Sequence, residues 1–269
     1  MRTAVIAVTL LAAIAACGES TDCLNPSLVE ADGRIVTSRF AGSVNGNDPI
    51  YWYGFYGQAA HSYAVEFVPT TDNENIATSL EFGNLFVWGP NDISGLQQNG
   101  CFGSSSVTFY AAQAYSPAIA KGKYGTGQRI TFTAPFAGLN IVSITNFQVS
   151  GTYSYRITDT TLFNPRWSTW SGFDTSWGFT NMSDMPITGT LYVFGSNNQL
   201  VTSATVTVPA NGQVFRTTYG YDLKLPRNRD GFVMFAHNGP PGSILGDAIM
   251  QNSTLTVAIP SKFESRYSH

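Results

Sequence analysis

Residues that could carry out catalysis are few in this chain of 269 residues. Its three histidines are His61, His237 and His269. His237 is the best catalytic candidate, because it lies in the loop AHNGPPG after an apolar strand and imidazole suits proton transfer near neutral pH. A hydrogen-bonded loop histidine without a catalytic role is the competing interpretation. The chain contains no G-x-S-x-G or H-E-x-x-H motif. We therefore expect a protein that is not an enzyme, with a hydrolase using His237 as the alternative.

Oxygen ligands suited to calcium occur in two loops. Asp48 follows two asparagines, and Asp72 and Glu74 flank Asn73. Calcium needs six to eight oxygens around one point, so folding would have to bring both loops together. Acidic and amide residues that simply form turns are the alternative, and we expect no other metal or cofactor.

Aromatic side chains are the candidates for binding rather than catalysis. The stretch PRWSTWSGFDTSWGF covers residues 165–179, and its alternation predicts that Trp177 and Phe179 lie in a core. Trp170 falls in a turn-like segment, out of phase with that face. We therefore predict a ligand-binding surface at Trp170, with Arg166 and Trp167 nearby. Trp52 is a second candidate in the first half of the chain.

The N-terminus has the pattern of an export signal. One basic residue, Arg2, precedes an uncharged apolar run that is too short to span a bilayer. The junction Ile14-Ala15-Ala16-Cys17 resembles a bacterial lipobox, which implies an acylated Cys17 at the mature N-terminus and a membrane contact through its lipid anchor. Ordinary cleavage near Ala16 is the alternative. Gly18 is compatible with an outer-membrane or cell-surface location.

The cysteines fit an exported protein. The chain has three, and if Cys17 is acylated, Cys23 and Cys101 remain to form a disulfide in an oxidising compartment. Two free buried thiols are the alternative.

Charge argues against nucleic acid as a partner. The formal net charge is -3, and the nearest approach to a basic cluster is the short run KLPRNR at residues 224–229. Affinity for nucleic acid rests on clustered cations that neutralise phosphates. Rigid aromatic rings stack on the apolar faces of sugars, so the aromatic side chains predict an extracellular polysaccharide as one partner, with a surface protein as the alternative.

Short alternating segments separated by Gly, Pro and Asn predict an all-β protein of two β-sandwich domains. The pattern breaks at the sequence DTTLFNP, which suggests a linker there. The predicted organisation is a signal peptide at 1–16, a tether at 17–28, a first sandwich at 29–158, a linker at 159–165, a second sandwich at 166–264 and a tail at 265–269.

The first half resembles the bacterial pre-peptidase C-terminal (PPC) domain over about residues 30–158. The resemblance rests on the runs NDPIYWYGF and GQAAHSYAVE, and on the later strands ITFTAP and GTYSYRI. It implies a jelly-roll-like sandwich that acts as an accessory or binding module, in some members with calcium. The segment 70–127, which carries Cys101, departs from the family in length, and no peptidase domain lies beside it.

The second half resembles immunoglobulin-like sandwiches of secreted bacterial proteins through ITGTLYVFGSNNQLVTSATVTVPANGQVF. Together these observations predict an exported, lipid-anchored surface protein that recognises a carbohydrate or a protein without covalent chemistry. A structural subunit of a surface assembly is a further alternative.

Overall fold

A computed structural model of the protein describes residues 20–40, 50–69, 84–91, 113–115, 127–145, 151–219, 223–254 and 256–265. These residues form two successive β-sandwiches and contain no α-helix. No helix in this part of the chain is long and apolar enough to cross a membrane. The predicted all-β fold class is confirmed.

The first sandwich consists of two sheets with strand orders β1-β3-β8-β5 and β2-β9-β4-β7-β6. Its strands are β1 (Ser27–Leu28), β2 (Val36–Phe40), β3 (Tyr51–Gly57), β4 (Ser62–Pro69), β5 (Asn84–Trp88), β6 (Gln113–Tyr115), β7 (Gly127–Thr133), β8 (Gly138–Thr145) and β9 (Gly151–Asp159).

Alternation along β3 and β4 builds the core of this sandwich. Successive side chains of a strand point to opposite faces of the sheet. Tyr53 and Phe55 of β3 therefore meet Tyr63, Val65 and Phe67 of β4, and each of these five side chains is 2% exposed or less. Burying one aromatic or branched side chain of this kind stabilises the fold by about 1.5–3 kcal/mol.

The second sandwich consists of two sheets with strand orders β13-β12-β15-β10-β18 and β14-β11-β16-β17. Its strands are β10 (Leu162–Ser168), β11 (Phe173–Asn181), β12 (Ile187–Gly195), β13 (Leu200–Val208), β14 (Gln213–Thr217), β15 (Asp230–His237), β16 (Ile244–Asn252), β17 (Ala258–Lys262) and β18 (Glu264–Ser265).

Strand β11 confirms the predicted alternation. Thr175, Trp177 and Phe179 are fully buried between the sheets, whereas Asp174 and Ser176 lie on the outer face. The ring of Phe179 packs against that of Phe235 with centroids 4.3 Å apart. The alternation thus assigns one side of β11 to the core and leaves the other side for a surface.

The predicted linker is shorter in the structure. Strand β9 ends at Asp159 and β10 begins at Leu162, so that only Thr160 and Thr161 separate the two sandwiches. The prediction of a linker over 159–165 missed β10 because Pro165 interrupts the alternation, and the strand tolerates it through a register shift between Asn164 and Trp167.

The predicted tether is also shorter. Ser20 pairs with Trp52, and β1 pairs in parallel with Tyr53 and Gly54 of β3. Residues 20–28 therefore belong to the first sandwich. Cys17 and Cys101 lie outside the described residues, so the lipid anchor and the Cys23–Cys101 disulfide stay predictions.

A buried polar cluster joins the two sandwiches, and Ser62 at the start of β4 is its centre. Its hydroxyl accepts hydrogen bonds from the Thr160 hydroxyl at 2.9 Å and from the His237 backbone N–H at 3.1 Å. Its backbone N–H donates to Thr161 Oγ1 at 2.8 Å, and its carbonyl accepts from the Thr160 N–H. Ser62 of the first domain thus forms hydrogen bonds both to the connection and to the second domain, and it is 0% exposed.

Ser62→Ala is expected to lower the stability of the whole chain by about 1–3 kcal/mol, because it leaves the buried donors of His237 and Thr160 without an acceptor. Urea unfolding followed by circular dichroism measures the change. Ser203→Ala, on the exposed face of the edge strand β13, serves as the matched control and is expected to leave the midpoint unchanged. An equal effect of the two substitutions would contradict the role of Ser62.

Candidate functional site

The outer face of the β14-β11-β16-β17 sheet carries the candidate site. The strand register places Thr217, Ser176 and Ile249 side by side across three strands, and places Phe215 in the next row beside Gly178. Four large apolar side chains on this face are exposed by 45% or more, namely Phe215, Tyr219, Leu245 and Ile249. Apolar groups gathered on one face of a small domain mark a surface for interaction.

A groove with a volume of about 570 Å³ opens on this face at the start of β11 and the end of β16. Its apolar walls come from Phe215 and Tyr219, and its polar groups include Asp174, Gln251 and Ser253. Exposed rings beside a few hydrogen-bonding groups form a surface that can hold a molecule with both apolar and polar faces.

Asp174 is held in a fixed position within the groove. Its Oδ1 accepts hydrogen bonds from Arg227 Nη1 at 2.7 Å and from Thr218 Oγ1 at 2.9 Å. Its other oxygen, Oδ2, accepts no hydrogen bond from the described residues, and Gln251 lies directly opposite in the register. A carboxylate oxygen next to an amide offers acceptors and donors together, which suits hydroxyl groups.

Gly178 allows Phe215 to lie across the neighbouring strand. A Cβ atom at position 178 would come within 3.0 Å of Phe215 Cε1 and within 2.4 Å of Asp247 Oδ1. Any side chain there would displace the ring. The Phe215 ring is 59% exposed and therefore presents a flat apolar surface at the edge of the sheet.

Tyr219 differs from Phe215 because it contacts a cation. The guanidinium carbon of Arg227 lies 6.0 Å from the centre of the Tyr219 ring, at the limit of a cation–π contact. Arg227 therefore links the ring to Asp174, and both rings stay exposed, Tyr219 by 66% and Phe215 by 59%.

Trp170 lies in a 3-10 turn, Trp170–Gly172, and is 50% exposed. The turn contacts the groove, because the Gly172 carbonyl accepts a hydrogen bond from the Ser253 N–H at 3.0 Å. Ser171 has a positive φ of 50°, a conformation that costs free energy in a non-glycine residue. The structure thus joins the turn that carries Trp170 to the groove residue Ser253, and Trp170 itself is not part of the groove lining.

The fold buries Trp167 and leaves its neighbour Arg166 exposed. Trp167 is fully buried in the second core, where its Nε1 donates to the Phe194 carbonyl at 2.8 Å, so the prediction of a stacking surface at Trp167 is wrong. The register shift in β10 turns this ring inward. Arg166 is exposed, but it does not line the groove.

The prediction of a binding surface at Trp52 is also wrong. Alternation does turn Trp52 away from Phe55, but the outer face of β3 is covered by the segment that begins at Ser20. Trp52 is 2% exposed and packs with Cys23, Trp88 and Ile141 in a separate small core. The segment from Ser20 to Leu28 therefore buries the Trp52 ring, which the alternation of β3 by itself would leave exposed.

The proposed calcium ligands Asp48, Asp72 and Glu74 lie outside the described residues. Within the described part of the chain, no group of three or more His, Cys, Asp or Glu side chains is arranged to hold a metal ion.

His237 lies in the junction between the sandwiches rather than in an open cleft. It is 2% exposed, and its Nδ1 accepts a hydrogen bond from the Gly239 N–H at 3.2 Å. Burial lowers the pKa of His237 to about 4, although a hydrogen bond with the Thr160 backbone acts in the opposite direction. The imidazole is therefore neutral at physiological pH and has no contact with solvent, a position that does not suit a group that must meet a substrate.

His61, at the same junction, bonds through Nδ1 to Asp159 Oδ2 at 2.8 Å. Asp159 in turn accepts a hydrogen bond from the Thr161 N–H through Oδ1. Asp159 Oδ1 thus holds the connection between the domains in place. His61, through Asp159, and His237, through its bond to Ser62, both contribute to holding the domains together.

The groove residues Asp174, Phe215, Tyr219 and Gln251 were not among the predicted site residues. Alternation in residues 214–219 does place Phe215, Thr217 and Tyr219 on one face and Val214 opposite. The sequence does not show, however, which of the two faces a second sheet covers, and that choice decides which rings are exposed.

Comparison with known proteins identifies no family. No protein-family model and no curated protein matches the chain. Among solved structures, the pre-peptidase C-terminal domain of a collagenase from Bacillus anthracis is 10% identical with a TM-score of 0.30, and the match covers 49% of this chain and 93% of that domain.

Two longer structures match with similar identity. The extracellular region of zebrafish Gpr126/Adgrg6 is 8% identical over 90% of this chain and 31% of that one, with a TM-score of 0.22. A glycosyl hydrolase family 2 member from Bacteroides cellulosilyticus is 10% identical over 83% of this chain and 31% of that one, with a TM-score of 0.23. The chain thus spans about a third of either, and its function has to be argued from its own residues.

The junction is expected to make stability depend on pH. The pKa of His237 is about 4 in the folded chain and about 6.5 when unfolded. Between these values only the unfolded chain binds the proton. The free energy of unfolding is therefore highest above pH 6.5 and falls by about 3 kcal/mol as the pH falls to 4.

Urea unfolding at a series of pH values measures this dependence. His237→Gln is expected to remove the His237 contribution to the slope between pH 6.5 and 4, whereas His61→Gln is expected to keep it. An identical slope in the His237 variant and the unmodified protein would contradict the assignment.

Proposed function

We propose that the protein is an exported, non-catalytic binding protein of the cell envelope whose second sandwich binds a polysaccharide. The observation that carries this proposal is the groove on the outer sheet face, whose lining combines the exposed Phe215 ring with the polar side chains of Asp174 and Gln251. Sugars present an apolar ring face and a rim of hydroxyl groups. Phe215 matches the first and the carboxylate and amide match the second.

Binding in this groove needs no chemical step. Asp174 is anchored by Arg227 and Thr218, and Phe215 stands on a strand of a sheet rather than on a long loop. Groups that are ordered before a ligand arrives lose little conformational freedom when it binds, which favours affinity. The proposed mechanism is recognition by a rigid surface.

The proposed location rests on the N-terminal sequence. The apolar run followed by Ile14-Ala15-Ala16-Cys17 supports export and acylation at Cys17. Several acyl chains hold a domain on a membrane, because each buried methylene contributes about 0.8 kcal/mol. The sandwiches then act at the surface to which the lipid attaches them.

Phe215→Ala is expected to weaken polysaccharide binding roughly tenfold, since a stacked ring contributes on the order of 1 kcal/mol beyond the area it buries. Titration calorimetry against a panel of extracellular polysaccharides measures the loss. Tyr56→Ala is the matched control, because Tyr56 is an aromatic residue that is 70% exposed on the first sandwich. Equal affinity of the Phe215 variant and the control would refute the groove as the site.

Tryptophan fluorescence offers a second readout of the same binding. Four of the five tryptophans are buried, and Trp170 is 50% exposed in the turn that is hydrogen-bonded to the groove residue Ser253. A ligand in the groove is expected to shift emission from Trp170, and Trp170→Ala is expected to abolish the shift. If no glycan alters either the fluorescence or the heat signal, the carbohydrate proposal fails and protein recognition takes its place.

Mass spectrometry of protein purified from membranes tests the proposed anchor. The mature N-terminus is expected to be Cys17 carrying acyl chains, and Cys17→Ala is expected to move the protein from the membrane fraction to the soluble fraction. An unmodified N-terminus on membrane-associated protein would contradict acylation.

A further inference from the structure

The free edge of β13 lacks the features that keep the other edge strands of the second sandwich from pairing. Strand β18 has only two residues, and β17 contains Pro260 and Lys262. On β14, the Arg216 side chain donates through Nη1 to the Phe215 carbonyl at 2.9 Å and so occupies a backbone acceptor of that strand. Strand β13, with the sequence LVTSATVTV, contains neither a proline nor a charged residue. Short strands, prolines and charges are the usual means by which edge strands avoid further pairing.

The hydrogen-bond pattern shows which backbone groups of β13 point away from its sheet. In β12, the Thr188 carbonyl bonds toward β15, since it accepts from the Asn238 N–H at 3.0 Å. Successive residues of an antiparallel strand direct their backbone groups to opposite sides, so the odd-numbered residues of β12 bond to residues 202, 204, 206 and 208 of β13. The groups that point to the free edge belong to three exposed residues, namely Ser203, Thr205 and Thr207. No backbone hydrogen bond within the described part of the chain satisfies them.

The core beneath β13 is incompletely covered at the same edge. Val201 and Ala204 pack against the second core but are only partly buried, and Leu200 at the start of the strand is 53% exposed. A strand added beside β13 would cover apolar groups and satisfy the free N–H and C=O groups together. Both effects favour the addition of a strand at this edge.

We propose that β13 pairs with β13 of a second copy of this chain, antiparallel about a two-fold axis at Thr205. Ser203 of each copy then lies opposite Thr207 of the other, and their backbone groups bond across the axis. The two five-stranded sheets become one continuous sheet.

A second copy fits this edge better than a charged partner strand does. Neither β13 nor its neighbour β12, with the sequence ITGTLYVFG, offers a counter-charge to a foreign strand. In the self-pairing, uncharged hydroxyl side chains of Ser203, Thr205 and Thr207 meet one another on the outer face, and like charges do not oppose the contact.

This pairing goes beyond the proposed function and uses none of its residues, because β13 belongs to the sheet that does not carry the groove. Two copies joined in this way present two grooves to one polymer, which raises the avidity when both grooves bind. Loss of the pairing leaves the affinity of each single groove unchanged.

Sedimentation of purified Cys17→Ala protein measures association without a contribution from lipid. This protein is expected to form a concentration-dependent dimer, and Thr205→Lys in the same background is expected to give a monomer, because two like charges then face each other at the axis. An equimolar mixture of the Thr205→Lys and Thr205→Glu variants is expected to restore the dimer. Gln213→Lys is the matched control, since Gln213 is exposed on the edge strand β14, and it is expected to leave the dimer intact.

Thr205→Cys tests the register. A cysteine at the axis meets its copy at a Cα separation of about 5.5 Å, which a disulfide can span. Oxidation is therefore expected to cross-link this variant into a dimer but not to cross-link Gln213→Cys, and circular dichroism checks that each variant is folded. A monomer at every concentration, or a dimer that Thr205→Lys and Gln213→Lys affect equally, would overturn the pairing through β13.

Discussion

The hydrogen bonds that Ser62 accepts from His237 and Thr160 fix how the two sandwiches meet. A connection of two residues by itself allows the sandwiches little relative motion. The buried Ser62 hydroxyl restricts this motion further, because it accepts hydrogen bonds from the connection and from the second sandwich. Leaving any of these donors without a partner is costly because no water reaches them. The position of the groove relative to the first sandwich therefore depends on this junction.

The topology places the groove and Ser20, the first described residue, on opposite sides of that junction. Strand β3 runs toward the junction and ends at Gly57. Ser20 pairs with Trp52 near the other end of this strand, about 17 Å from Gly57 at the rise of a β-strand. Strand β11 also ends at the junction, and Asp174 lies seven residues before its last residue, or about 24 Å.

Alternation in the sequence predicts the strands better than it predicts the exposed surfaces. It assigns Trp177 and Phe179 to a core, and the structure buries both. It also turns Trp52 outward, but residues 20–28 cover that face, and such a contact between distant parts of the chain has no local signal. The apolar pattern of strand β16 is weak in the sequence, because Gly246 and Ala248 occupy inward positions. The groove likewise depends on which face of β14 a second sheet covers.

Contacts that stabilise the second sandwich also hold the side chains of its groove in place. Gly178 allows Phe215 to lie across β11, and the contacts of Arg227 with Tyr219 and Asp174 join the start of β11 to the segment that follows β14. Because these contacts form during folding, a ligand meets side chains that are already ordered. Edge position keeps β14 accessible, and the polar side chains around it oppose pairing with a further strand. A surface of this kind favours binding of a long, flexible polymer over a reaction that would need an enclosed, dry cavity.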